Sequence, residues 1–252
     1  MKYFTGFVLI ILFAVQCTVS HKPIPQNTLQ LVLVLVDSVN GTQGKLYQFD
    51  REPSSSNWNL AARNIPVIVG KNGLAWGKGL QKESEYPDFP TKKEGDGKSP
   101  SGVFYLSTVF GFDELPDITI PFLPVNDLVE CIDDVNSHYY NQVVNRTEMA
   151  EKELPDWNSS EKMRSFIGYY EQGIIVDHNV NPISKGSGSC IFIHNWKPGS
   201  DVTSGCTAMI PKDLTNLIHW LNVAKKPVLA QLTLQQYDDL KDVWALPSLL
   251  ND

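Results

Sequence analysis

The stretch Leu29 to Val36, L-Q-L-V-L-V-L-V, does most to restrict what this chain can become. An apolar run of this length, rich in β-branched valine, is too short for an ordinary core helix and fits a buried strand. Gly41 to Gly44 then supplies a turn, and Lys45 to Phe49 alternates enough to pair back as a hairpin. Short runs of the same kind follow at Ile65 to Val69, Ser101 to Thr108, Gly173 to Val176, Cys190 to His194 and Pro227 to Leu234. Helical spacing is scarcer. Lys212 to Ala224 places Leu214, Leu217, Ile218 and Leu221 on one face, the best amphipathic pattern in the chain. Asn158 to Tyr169, with Met163, Phe166 and Ile167, predicts a further helix, and Gln235 to Trp244 closes the chain with a short one. Phe110 to Leu128, rich in proline and acids, predicts a long surface connection.

These runs fit one large domain. A chain of 252 residues, 42% hydrophobic and 19% charged, can bury a substantial core, and no internal repeat or second composition zone divides it. The formal charge of -7, with no Lys/Arg cluster interleaved with aromatics, excludes a nucleic-acid-binding surface. The glycine-rich runs from Gly70 and from Gly95 invite a phosphate-loop reading and fail it. Neither has the glycine needed five positions before its Gly-Lys pair, and Pro100 forbids the helix such a loop must open.

The first residues have a different character. Lys2, an apolar run from Phe4 to Val15 and small residues before His21 read as a secretory signal peptide over residues 1–20, leaving 21–252 as the mature domain. The apolar run is too short to span a bilayer comfortably. Cys17 invites a lipoprotein reading, and Gln16 before it is a poor match to the small residue that processing prefers. Export leaves Cys131, Cys190 and Cys206, an odd number in an oxidising compartment, so at least one thiol stays free. Cys206 is the expected free one. Cys131 and Cys190 are then either a disulfide or two buried thiols.

The chemistry concentrates between Ser189 and Pro211, S-C-I-F-I-H-N-W-K-P-G-S-D-V-T-S-G-C-T-A-M-I-P. As a strand, Cys190 to His194 puts Cys190, Phe192 and His194 on one face, with His194 at its end. Asn195 to Thr203 has a loop composition, and Ser204-Gly205 leads back into order at Cys206. A strand-end histidine and a loop-end cysteine can meet. An ordinary thiol is only slightly ionised at neutral pH and needs an imidazole or exposed N–H groups to act as a nucleophile. His194 can supply the first. Gly205 lets the chain turn so that the Cys206 N–H is aimed at a developing oxyanion, and the Ser204 hydroxyl can add to it. The plainer alternative is a small buried thiol beside a core histidine. His178, after the strand at Gly173 to Val176, is a second candidate base or a turn histidine, and His219 is a surface or packing residue. Asp133, Asp134 and His138 in Glu130 to Asn141 match no zinc or calcium spacing, so neither a metal nor a cofactor is expected.

H-N-W-x(6)-T-S-G-C-T-A-M resembles the catalytic signature of the L,D-transpeptidase catalytic-domain family of bacterial cell-wall enzymes. K-K-E-G-D-G-K-S-P-S-G-V-F, Lys92 to Phe104, is similar to the G-D-x-x-T-P-x-G-x-F segment those enzymes carry ahead of the active site. The family's usual signature reads S-H-G-C with Arg or Asn two residues after the cysteine. Thr203-Ser204-Gly205-Cys206 followed by Ala208 is instead similar to a branch reading G-C-T-A-M. The resemblance implies a mainly β fold with a sandwich- or barrel-like sheet and few helices. It implies Cys206 as nucleophile, His194 as its proton-transfer partner, and the Asn195 carbonyl as the group orienting the imidazole. The implied substrates are peptidoglycan stem peptides, with an amine of a second stem or of a lipoprotein, or water, as acceptor. The implied location is the periplasm or envelope of a bacterium. A non-catalytic exported domain binding cell-wall peptide is the competing expectation, and neither sequence nor resemblance fixes an oligomeric state.

Overall fold

The computed structural model describes residues 21–149 and 154–249; the expected signal segment, residues 1–20 with Cys17, lies outside them. The strands in chain order are β1 (Gln30–Val36), β2 (Gln43–Asp50), β3 (Asn59–Ile68), β4 (Leu74–Trp76), β5 (Ser99–Gly111), β6 (Phe122–Pro124) and β7 (Val129–Cys131). They continue with β8 (Val143–Asn145), β9 (Glu161–Lys162), β10 (Gln172–Val176), β11 (Phe192–Asn195), β12 (Thr207–Met209) and β13 (Val228–Thr233). Two α-helices, α1 (Pro211–Trp220) and α2 (Leu234–Trp244), flank β13 in sequence.

Eight strands close on themselves in the order β10-β11-β12-β3-β2-β1-β13-β5, because β5 also pairs with β10. The fold is therefore mainly β and barrel-like, with β4 and β6 added alongside β5. A separate small sheet has the order β8-β7-β9.

The apolar run Leu31 to Val36 of β1 follows from its place in the barrel, where both of its faces are covered. Val32, Val34 and Val36 enter one hydrophobic cluster with Leu214, Leu217 and Ile218 of α1. Leu31, Leu33 and Leu35 enter a second, closed by Tyr237, Leu240 and Trp244 of α2. Pro211 at the first turn of α1 sits where a missing N–H costs nothing, and Thr233 caps α2 by accepting from the Gln236 N–H at 3.1 Å. A third cluster, with Phe110, Met163, Tyr170, Phe192 and Cys206, joins the small sheet to the barrel.

Three expectations need correction. Asn158 to Tyr169 is not a helix: β9 is followed by a 3-10 turn at Met163–Ser165, and Gly168 has φ +90°. Pairing of Glu161 with Cys131 overrides the helical spacing, and Ile167, expected on the apolar face, is 69% exposed. Phe110 to Leu128 is only partly a surface connection. Phe110 ends inside β5, Phe122 to Pro124 pair with β5, and Ile120 and Val125 are buried. The strand expected over Ile65 to Val69 also starts earlier, at Asn59, through exposed residues that carry no apolar alternation.

Candidate active site

β11 and β12 run parallel, with His194 opposite Ala208 and Ile193 opposite Thr207. A parallel pair cannot be joined by a tight turn, so the chain between them makes a crossover and returns with Cys206 directly before β12. That crossover brings the two chemical ends of the stretch to one place. Its last part docks just past the end of β3, where Thr203 donates its N–H to the Val69 carbonyl at 3.0 Å.

The Cys206 peptide is pinned from behind. Its carbonyl accepts from the Thr203 hydroxyl at 2.6 Å and from the Ser99 hydroxyl at 2.9 Å, while Ser99 Oγ accepts the Gly70 N–H at 2.9 Å. Gly205 has φ +154°, and a Cβ there would stand 3.1 Å from the Lys98 carbonyl oxygen, so the position favours glycine on two counts. Lys98 and Ser99 end the G-D-G-K-S turn, whose Asp96 carboxylate accepts the N–H groups of Lys93 and Lys98 and the ammonium of Lys92. This turn thus builds the wall behind the cysteine.

His194 is 5% exposed and donates from Nδ1 to the Asn195 carbonyl at 2.8 Å. A carbonyl only accepts, so the proton is on Nδ1 and Nε2 keeps its lone pair. Burial pulls its pKa down to about 4, against the Asn195 bond that raises it. The imidazole is therefore neutral at pH 7. Tyr169 and Tyr170 set their rings edge-on to it, with centroids 5.9 and 5.3 Å away.

Cys206 is 8% exposed and free. Its sulfur lies 3.4 Å from the Cys190 carbonyl, to which the thiol donates, and accepts the Phe192 N–H at 3.4 Å. Burial first, and then the charge of Glu161, push the thiol pKa up to about 12. The Phe192 N–H, the Tyr170 hydroxyl and Lys92 pull the other way. The resting sulfur is accordingly a protonated thiol hydrogen-bonded to main chain.

One cavity of about 330 Å³ is lined by Cys206, His194, Asn195 and Ser204 together. Gly205 does not line it and packs against the Lys98 carbonyl instead. Tyr169 and Tyr170 line the cavity as well, and so does Glu161, whose carboxylate accepts the Tyr170 hydroxyl at 2.6 Å. None of these three was marked as functional from sequence. The dense run Phe166 to Tyr170 was the available signal, and the helical reading concealed it.

The other candidates lie elsewhere. His178 is 1% exposed, accepts the Lys78 N–H at Nδ1 at 3.3 Å and donates from Nε2 to the Ser187 carbonyl at 3.0 Å. It is a structural cross-link between loops. His219 bonds the Thr215 carbonyl one turn back on α1. His138 and Asp156 pair at the surface, and Asp134 accepts the N–H groups of Asn136 and Asn158, which hold its carboxyl low.

Cys131 and Cys190 form a disulfide, which decides between the two states left open for them. The bridge ties the small sheet to the residue whose carbonyl holds the thiol. Because Glu161 is opposite Cys131 in the β7–β9 pairing, it also anchors that carboxylate at the cavity.

The sequence profile named YkuD, described as the L,D-transpeptidase catalytic domain, fits residues 39–229. No curated protein matches the chain, and no solved structure matches it.

Proposed function

Because the chain belongs to the L,D-transpeptidase catalytic-domain family of cell-wall enzymes, we propose that it transfers acyl groups of peptidoglycan stem peptides through a thioester on Cys206, with His194 as acid and base. The observation that carries this reading is the shared cavity, lined by both the free thiol and an imidazole with its Nε2 lone pair open. Cys206 attacks the carbonyl that joins the diamino-acid residue to the following D-alanine, and His194 takes the thiol proton. The carbon–nitrogen bond then breaks, the same proton leaves on the amine of D-alanine, and the acyl group remains on sulfur. The Cys206 N–H and the Ser204 hydroxyl stabilise the oxyanion, a contribution of ~3 kcal/mol per donor. An acceptor amine attacks the thioester and gives its proton to His194, which returns it to the sulfur. With water as acceptor the same steps make a carboxypeptidase or cross-link hydrolase.

A thiol raised to about 12 does not ionise ahead of the reaction, so proton loss and attack are coupled on this reading. Export to a bacterial periplasm or envelope, with residues 1–20 as signal peptide and 21–252 as one catalytic domain, belongs to the same proposal. The Cys131–Cys190 bond, which persists in oxidising compartments, supports it. A lipoprotein amine is one candidate acceptor.

A second reading, a non-catalytic domain that holds cell-wall peptide in this cavity, draws on the thiol's bond to the Cys190 carbonyl. Incubation with disaccharide tetrapeptides, followed by mass, separates the readings. Dimers indicate transfer, loss of D-alanine alone indicates hydrolysis, and Cys206→Ala abolishes both. Binding without any product refutes catalysis.

A further inference from the structure

We propose that Glu161 is the subsite for an ammonium group of the substrate, and that filling it turns the Tyr170 hydroxyl from the carboxylate to the Cys206 sulfur. The identity of the ammonium, the free amine of the stem peptide's diamino acid, rests on the function proposed above.

The starting point is a carboxylate in an unusual position. Glu161 lines the same cavity as Cys206 and His194, and its Oε2 is taken by the Tyr170 hydroxyl at 2.6 Å. Among the described residues it forms no ion pair. Burial first, and then the nearby acids Asp133 and Glu94, raise its carboxyl to about 7, against the Tyr170 bond that lowers it. A partly buried carboxylate without a positive partner is costly, and one facing an open cavity is satisfied by a cation that enters it. The two lysines on the cavity wall do not fill this role. Lys197 lies over the Tyr169 ring at 5.0 Å and bonds the Ile167 carbonyl, and Lys71 forms no ion pair among the described residues. Phe166 and Tyr170, stacked with centroids 4.9 Å apart, line the approach with aromatic surface that suits an alkylammonium chain.

The coupling to sulfur follows from one proton. The Tyr170 hydroxyl has a single hydrogen, now given to Glu161, and the Cys206 sulfur is its other hydrogen-bonding neighbour. The Glu161 charge is the second cause holding the thiol protonated, and the Tyr170 hydroxyl is among the groups that favour the thiolate. An ammonium on Glu161 offsets the first and frees the second. Glu161 is held in position for this by pairing with Cys131, whose disulfide reaches the residue that accepts the thiol hydrogen. Tyr170 is thus a positioning residue that links an occupied subsite to a more acidic thiol.

The test uses the full mature chain and two tetrapeptide probes, one with its diamino-acid amine free and one with that amine acetylated. In a Cys206→Ser background, which cannot turn over, the free-amine peptide should bind at least about tenfold more tightly. Glu161→Gln should erase that preference. With Cys206 present, Glu161→Gln should speed alkylation of the thiol by about threefold or more at pH 8, and Tyr170→Phe added to it should remove the gain. Equal binding of the two peptides, a preference that survives Glu161→Gln, or unchanged alkylation overturns the proposal. The peptide comparison needs no change at position 161, so it decides even where that variant does not fold. Acylation of the natural chain without an amine preference would sink the subsite and keep the function; a preference without acylation would do the reverse.

Discussion

Removing the Cys131–Cys190 bridge tests the architecture of the site and the fold in one experiment. The two cysteines are 59 positions apart, so the bond closes a long loop in the unfolded chain. Chain-entropy estimates run from ~3 kcal/mol for a 15-residue loop to ~4.7 for a 100-residue one, which places this bridge at ~4 kcal/mol. A Cys131→Ala/Cys190→Ala chain should therefore lose ~4 kcal/mol, close to a thousandfold in its folding constant. The structure adds a local consequence. The bridge holds the small sheet that carries Glu161, and the Cys190 carbonyl accepts the Cys206 thiol hydrogen. Loosening it should expose the sulfur, and Cys206 alkylation should accelerate under conditions where the chain is still folded. Urea unfolding at pH 7 in a Cys206→Ser background, which prevents thiol exchange, measures the first effect, and timed alkylation of the folded double variant measures the second. A loss below ~1 kcal/mol together with unchanged alkylation would refute both the entropic role of the bond and its hold on the site.

Ser99→Ala leaves the Gly70 N–H without its acceptor and the Cys206 carbonyl without one donor; it should cost ~1–3 kcal/mol in urea unfolding and lower kcat more than it raises KM. His178 and His194 are both buried with pKa values lowered to about 4. The unfolded chain binds those protons below ~6.5, so the stability from each, roughly 3 kcal/mol, is complete above that pH and lost as pH falls towards 4. A urea midpoint that stays flat from pH 7 to 4 would contradict this. His178→Ala should destabilise by ~2–3 kcal/mol, because two loops lose their cross-link, yet keep most product formation per folded molecule; complete loss of product with the fold intact would return His178 to the catalytic candidates. Alkylation of Cys206 without substrate should climb close to tenfold per unit between pH 7 and 10, and a plateau below pH 9 would show that burial does not hold the thiol protonated.

The strands that the sequence made legible are those whose burial shows in composition. β1 is apolar from Leu31 to Val36 because both of its faces are buried, and α1 keeps its stripe because one face meets the barrel. β3 begins among exposed polar residues, where only pairing with β2 makes a strand, and no local signal marks that start. Asn158 to Tyr169 misled because its apolar spacing serves two different contacts. Met163 enters the core under the small sheet while Ile167 faces water, and pairing with Cys131 sets the backbone. The site divides in the same way. His194, Asn195, Ser204 and Cys206 are neighbours in one stretch, so their meeting could be read from order alone. Ser99, Glu161 and Tyr170 reach the cysteine or its cavity from distant strands and turns, and only the barrel and the small sheet bridged to it bring them there.

The most direct test of the central claim is the intact mass of the mature chain after brief mixing with a stem tetrapeptide. The account predicts a covalent adduct equal to the peptide less its terminal D-alanine, located on Cys206, absent from Cys206→Ala and formed far more slowly in His194→Ala. An unmodified mass at every time and pH, with the same peptide bound in the cavity, would contradict it.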